Sequence, residues 1–354
     1  DLSNNLLCGV SQRGDGLRDA SGASALITAL AASRTLRSIN LLGNRLEDGH
    51  RQSLLELLAA GGRGELPLQT ACGLHSANSA PDFGAKGLGP TDLFILLDEL
   101  TVRGSEGPVS SLNLGVSEVN DDVAAALASA IHAGAPLSSL ELDASRLSVP
   151  GALALAEGIV ATPNVALHTL VLRGCDADEL STTVWSSRLP VSALTGRLKL
   201  DTIDLAHSGI SPLAAVVLSK LIEVNTSLQY LSLAGNPIGD AAAAHVADGA
   251  SRAGLLGLVL HRCEISMTGA AALGLQLAQA EATIGTISFD MSPLPVPELR
   301  GAADAAASLD LSGQELSDVS AAFIAEMLKH NGRLSKLNLS CNGFSDEAGH
   351  ALDQ

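Results

Sequence analysis

The sequence predicts an α/β solenoid, a single domain with a parallel β-sheet on its concave face and α-helices on its convex face. Three observations predict it. A phrase of fixed spacing recurs from end to end; after Ser227 it reads Leu228, Leu231, Leu233, Asn236 and Ile238, at offsets 0, 3, 5, 8 and 10. In the regular units the distance from strand to strand is 27 to 30 residues. Each unit also joins two hydrophobic periods, an alternation around offsets 3 to 6 and helical spacing after it. Leu231 and Leu233 point one way, and Tyr230, Ser232 and Ala234 the other. The Ala-rich stretch 240–252 then reads as a helix with Asp240 as its cap. Such a unit cannot bury its apolar side alone, so units stack and the core grows in one dimension.

The first unit opens in mid-phrase. Leu2, Asn5 and Leu7 hold offsets 5, 8 and 10, and a helix is expected at 21–34. Leu36, Ile39, Leu41, Asn44 and Leu46 make a complete second unit. The third is degenerate: Leu66 and Leu68 serve as its strand, Ala71 replaces Asn, and Gly73 replaces the next apolar residue. The Gly-, Pro- and Ser-rich stretch 76–90 reads as an exposed insertion, followed by a helix at 91–102. Units four to nine keep the rhythm on Leu112 and Leu114, Leu140 and Leu142, Leu170 and Leu172, Ile203 and Leu205, Leu231 and Leu233, and Leu258 and Leu260. The sixth has a long tail with Trp185 and a break at Pro190. The tenth, on Ile287 and Phe289, runs into three prolines at 292–301, so no full helix is expected there. Leu309 and Leu311, with a helix at 318–330, and then Leu337 and Leu339 close a series of about 12 units. Irregular insertions fall at 74–90, 178–199 and 291–308.

Length alone, at 354 residues, suggests two or three domains, but a repeat array grows without splitting. The net charge of −17 disfavours nucleic acid and favours partners with basic surfaces. The 5 cysteines are scattered without paired spacing, which fits a reducing compartment. No apolar run approaches the ~20 residues of a membrane span. The chain begins and ends inside a unit, and a bare terminal unit exposes core leucines. The ends are therefore expected to be covered by flanking chain or partner subunits, with residues 1–354 a segment of a longer polypeptide.

The pattern L-x-x-L-x-L-x-x-N-x-I, followed by a full helix every ~28 residues, resembles the leucine-rich repeat. The unit length and Ala-rich helix look like its ribonuclease-inhibitor-like subclass, which also includes Ran GTPase-activating protein, NOD-like receptors, tropomodulin and ciliary scaffolds. The resemblance covers nearly the whole chain. It implies a non-enzymatic protein–protein interaction scaffold, a cytoplasmic component of a larger cytoskeletal or ciliary assembly. Two alternatives stay open, since one fold hosts many functions. One is a GTPase-activating protein, with Arg45 as the basic residue after a ladder Asn. The other is the ligand-sensing repeat domain of an innate-immunity-type receptor.

The resemblance makes offset 8 structural: its side chain satisfies backbone groups where the chain leaves the strand. Asn5, Asn44, Asn236 and Asn342 keep the amide, while Ser117, Ser145, Cys175, Ser208 and Cys263 substitute. Offsets 2, 4 and 6 face the concave side. There the candidate partner-binding residues are Glu141, Asp143, Arg173, Asp204, Tyr230, His261, Asp290 and Asp310. Rungs ~4.8 Å apart make Asp143 and Arg173 neighbours, and likewise His261 and Asp290. The chain contains no G-x-x-x-x-G-K-[ST], H-E-x-x-H or G-x-S-x-G motif. No catalytic residue, cofactor or metal is therefore expected.

Overall fold

Each hydrophobic period becomes one element. The computed structural model describes residues 1–5, 7, 8, 16, 19–74, 79–162, 165–175, 184–279, 284–302 and 305–352. Parts of the three expected insertions, at 75–78, 178–183 and 303–304, lie outside the described residues. The chain forms two compact units, 1–184 and 185–354.

In the first unit come α1 (Ser21–Ala32), α2 (Asp48–Gly62), α3 (Pro90–Arg103), β1 (Ser111–Asn113), α4 (Asp121–His132), β2 (Ser139–Asp143), α5 (Val149–Ala161) and β3 (Thr169–Cys175). Strands β1, β2 and β3 are parallel, with Leu112, Leu140 and Leu170 in register. Every second side chain of β2 is buried, as alternation requires. Earlier rungs are shorter. The Leu2 N–H donates to the Asn40 carbonyl at 2.9 Å, and the Ile39 N–H to the Thr70 carbonyl at 3.0 Å.

Two expectations for this unit need correction. The third rung is centred on Thr70 and Cys72, which bridge to Ser38 and Asn40, and not on Leu66 and Leu68. Helix α2 runs to Gly62, and its Gly61 lies against the Leu68 carbonyl, where a Cβ would come within 1.8 Å. Residues 63–69 are thereby used up as the connection. The stretch 76–90 is not wholly an exposed insertion. The Ser110 N–H donates to the Ser79 carbonyl at 2.7 Å and the Phe83 N–H to the Asn113 carbonyl at 2.9 Å, which adds a rung. Phe83 and Leu88 are 3% and 1% exposed, so they belong to the core.

β4 (Val184–Pro190) begins on the last residue of the first unit, and the second unit goes on with α6 (Val191–Leu194), β5 (Thr202–Asp204), α7 (Pro212–Ile222), β6 (Tyr230–Ser232), α8 (Gly239–Ala253), β7 (Gly257–Val259), α9 (Met267–Gln279) and β8 (Thr286–Ser288). It continues with β9 (Leu294–Pro295), α10 (Val296–Arg300), β10 (Ser308–Asp310), α11 (Asp318–Lys329), β11 (Lys336–Asn338) and α12 (Asp346–Leu352). Strands β5 to β8 are parallel, with Ile203, Leu231, Leu258 and Ile287 in register. β9 then pairs antiparallel with β8, and β10 and β11 form a separate parallel pair. The proline-rich segment thus turns back on the sheet edge. Only five residues of helix follow, ended by left-handed Gly301. α9 packs directly on α11, with the Phe323 carbonyl close against Gly274.

The helices are tied by a link that crosses repeats. Asp240 does not cap its own helix; the Ser266 N–H donates to its Oδ1 at 2.8 Å and the Ser266 hydroxyl to its Oδ2 at 2.6 Å. Asp121 with Ser148 and Asp318 with Ser345 repeat the arrangement. Each carboxylate lies at the start of one helix and receives the cap serine of the next, near that helix's positive dipole end. The carboxylate needs room. A Cβ on Gly269 would come within 2.0 Å of Asp240 Oδ1, and one on Gly151 within 2.1 Å of Asp121 Oδ1.

In an open helix Gly→Ala stabilises by about 1 kcal/mol. At 269 the sign is expected to reverse. Urea unfolding of Gly269→Ala should show a loss of about 1–3 kcal/mol, the usual range for overpacking. A gain in stability would show that the Asp240–Ser266 link does not constrain the helix.

Candidate functional site

Where the chain leaves each strand, backbone groups are buried in the turn. The Asn236 amide, fully buried, donates to the Leu233 carbonyl at 2.7 Å and to the Leu205 carbonyl of the preceding repeat at 2.9 Å. Its oxygen accepts from the Ile210 N–H. Asn342 makes the same contacts to Leu339, Leu311 and Leu316, and Asn44 to Leu41, Leu2 and Asn5. Asn5 donates to the Leu2 and Ser3 carbonyls of its own turn. The substitutes differ. The Cys263 thiol donates to the Leu233 carbonyl, and burial pushes its pKa up to about 11. Buried Ser117 accepts from the Leu88 N–H. Ser145 and Ser208 are exposed; Ser145 turns to Asp143 and Ser208 to the Ala206 carbonyl. Cys175 ends β3, and its side chain lies outside the described residues.

On the sheet face of the first unit, Asp143 is in register with Arg173. The ion pair, however, joins Arg173 to Glu141, at 2.7 Å, while Asp143 accepts from the Ser145 N–H at 2.8 Å. Asp82, Asn113, Glu141, Asp143 and Arg173 line a concavity of about 430 Å³. Asp82 comes from the rung hidden in the stretch 76–90, so sequence spacing missed it.

On the sheet face of the second unit, Tyr230 pairs in register with Thr202 and is 48% exposed. Asp204 accepts from the Ala206 N–H at 2.9 Å. His261 Nδ1 lies 3.3 Å from the Phe289 carbonyl rather than on Asp290. Asp290 accepts from the Ser317 N–H at 2.9 Å and from the Ser320 hydroxyl at 2.6 Å. It thus serves the α11 start that a missing helix aspartate would otherwise serve. Both residues line a recess of about 530 Å³ with Arg262, Glu264 and Phe289. Asp310 accepts from Ser312, whose hydroxyl and N–H hold its carboxyl below the usual range.

A carboxylate that the spacing does not single out is the most deeply buried one. Glu99 on α3 is 0% exposed. Its Oε2 accepts from the Ala71 and Cys72 N–H groups at 2.9 and 3.1 Å, and its Oε1 pairs with Arg103 at 3.1 Å. The third rung has no offset-8 amide, and Glu99 satisfies its backbone from the helix side. Burial raises the Glu99 carboxyl, against the lowering effect of Thr70 and Arg103. Asp92, also on α3, accepts from the Gly43 N–H at 2.9 Å, and Arg45 is exposed on that turn with its charge near Asp92. Burial raises the Cys72 thiol well above its ordinary value, which leaves it unreactive. Among the described residues, no group of three or more His, Cys, Asp and Glu is placed to hold a metal ion, and no helix is long and apolar enough to cross a membrane.

A leucine-rich repeat family model matches residues 224–246 and 330–352, which cover β6 with the start of α8 and β11 with α12. The Tonsoku-like protein of Bos taurus is 30% identical over 220 residues, 61% of this chain. The matched part spans 15% of that protein. Leucine-rich repeats are therefore present, on parallel strands alternating with helices.

Two measurements check the buried polar groups. Asn236→Ala leaves the Leu205 carbonyl and the Ile210 N–H buried without this partner, while the Leu233 carbonyl keeps the Cys263 thiol; at ~1–3 kcal/mol for each orphaned group the variant should cost about 2–6 kcal/mol in urea unfolding. The Glu99 carboxyl is raised above its ordinary 4.5, so the folded state binds this proton more tightly. Its contribution to stability is full below pH 4.5 and is lost as pH rises through the raised folded value. The stability of the native chain relative to Glu99→Gln should therefore fall as pH rises across that window. A rising difference would mean that the carboxyl is not raised.

Proposed function

We propose that this leucine-rich repeat chain is a non-enzymatic protein–protein interaction scaffold that receives a basic partner on the sheet face of residues 1–184. The observation that carries the reading is the concavity where Asp82, Glu141 and Asp143 converge. Arg173, the one guanidinium there, is already paired with Glu141. Three carboxylates against one cation leave an uncompensated negative potential. Such a surface steers a positively charged segment and loses affinity as salt rises. The other face of the strands is packed with leucine, so partner contact falls on the side-chain row that alternation leaves open. A cytoplasmic, cytoskeletal or ciliary setting rests on the family resemblance alone.

The test is charge reversal at the concavity. Glu141→Lys combined with Asp143→Lys should weaken binding of a lysine- and arginine-rich partner segment by about tenfold or more, since interfacial charge pairs are worth ~1.5 kcal/mol upward. Titration calorimetry at two salt concentrations reads it. Unchanged affinity in the double variant removes this face from the function.

A further inference from the structure

We infer that β10 takes up an extended segment of a basic partner protein as an added β-strand. This rests on the scaffold reading and names a second surface within it, apart from the concavity of residues 1–184. β10 pairs with β11 on one side and, among the described residues, with no strand on the other. Its hydrogen bonds show which groups are left over. The Ala307 carbonyl receives the Ser335 and Lys336 N–H groups at 2.8 and 3.2 Å, and the Leu311 N–H donates to the Asn338 carbonyl at 2.8 Å. Residues 307, 309 and 311 therefore face β11, and alternation turns the backbone of Ser308 and Asp310 away from it. On the regular strands such groups are satisfied by the strand before. The Gly257 N–H donates to the Gln229 carbonyl at 3.0 Å, and the Thr286 N–H to the Leu256 carbonyl at 2.8 Å. The matching acceptor for Ser308 is the Gly285 carbonyl. It receives the Val296 N–H instead, at 3.0 Å, and the Ser308 N–H has no backbone partner among the described residues. β9 offers no replacement, since Pro293 and Pro295 lack the N–H that a ladder needs.

The space beside β10 is open. Ser308 and Asp310 are exposed and Leu309 is half-buried, whereas Leu231, Leu258 and Ile287 on the regular strands are 1%, 1% and 0% exposed. The same half-burial marks Leu337 on β11, which also has a strand on one side. A row of unpaired N–H and C=O groups is a template for an extended backbone, and a strand laid there covers Leu309 as well. Asp310 selects the charge of that strand. Its exposed carboxylate stands on the face where cross-strand side chains meet, and a cation opposite it is favoured. The net charge of −17 repels a second copy of this chain and attracts a basic segment.

Amide exchange followed by ¹⁵N NMR on the full chain reads this edge directly. In the free chain the Ser308 and Asp310 amides should exchange about tenfold or more faster than those of Gly257 and Thr286, which are hydrogen-bonded. The probes are octapeptides of alternating Lys and Val, Lys and Pro, or Glu and Val. The Lys-Val peptide should protect both amides saturably. The Lys-Pro peptide has the same charge but lacks the N–H groups of a strand, and should protect neither; nor should the Glu-Val peptide. Ser308→Pro should abolish the effect at Asp310 and leave β11 paired, since the Ser308 N–H takes no part in that pairing. Asp310→Asn keeps the local turn, as Asn338 does on β11, and should weaken the Lys-Val peptide by about twofold to fivefold. Slow exchange of the two amides in the free chain overturns the inference, because this chain or a second copy then covers the edge. Equal protection by Lys-Pro or Glu-Val, or indifference to either substitution, overturns it too. Calorimetric binding of Lys-Val with both amides unprotected overturns the strand site and leaves the concavity reading intact. No binding of either lysine peptide overturns both.

Discussion

The constraint on which the rest depends is the burial of backbone polar groups where each strand ends. In the regular repeats a helix follows the strand, so the chain turns inside the stack, out of reach of water. An orphaned carbonyl or N–H there costs more than a well-made hydrogen bond contributes. The Asn236 amide answers this with two donors and one acceptor used at once, and it spans two repeats in doing so. One side chain therefore fixes the turn of its own repeat and its distance from the one before. Of the exposed seryl substitutes, Ser208 gives its hydroxyl to the Ala206 carbonyl of its own turn.

A second link crosses repeats on the helix side. The Asp240–Ser266 and Asp318–Ser345 pairs are 26 and 27 residues apart, about one repeat, so they join the same point of successive helices. Small residues set the spacing. A Cβ on Gly249 would strike the Ser219 carbonyl, and one on Gly158 the Ala128 side chain. Stability in such an array is a sum over neighbouring repeats. Removing one helix therefore exposes two partners. In the tenth repeat the chain compensates locally, with Asp290 receiving the α11 serine caps and β9 covering the edge of β8.

The repeat period and the alternation of β2 and β6 were legible because leucine stands at offsets 3 and 5 of both copies. The third repeat was misread because Thr70 and Cys72 have no such leucines, and their compensation, Glu99, lies on a helix 27 residues further along the chain. Phe83 and Leu88 were hidden by Gly and Pro neighbours that suggest a loop. The cap pairs were invisible for another reason. An Asp at a helix start suits its own N-terminus equally well, and only register shows which serine it receives. On the sheet face, spacing placed Asp143 beside Arg173 correctly in register but could not show that the guanidinium turns to Glu141.

That last case has a physical reason that bears on function. At offset 4, Asn40, Asn113, Asp204, Asp310 and Asn338 each accept the N–H two residues ahead, which ends the strand in an Asx turn. These side chains are partly committed to structure, whatever their charge suggests. Glu141 has one more methylene and does not close that turn, so its carboxylate extends over the neighbouring strand and meets Arg173. Two acidic residues at the same offset thus do different work. An aspartate there keeps one oxygen for its own backbone and offers the other, while a glutamate offers both. The length of the acidic side chain, and not the negative charge alone, separates the rungs that engage a cation within the chain from those left open to a partner.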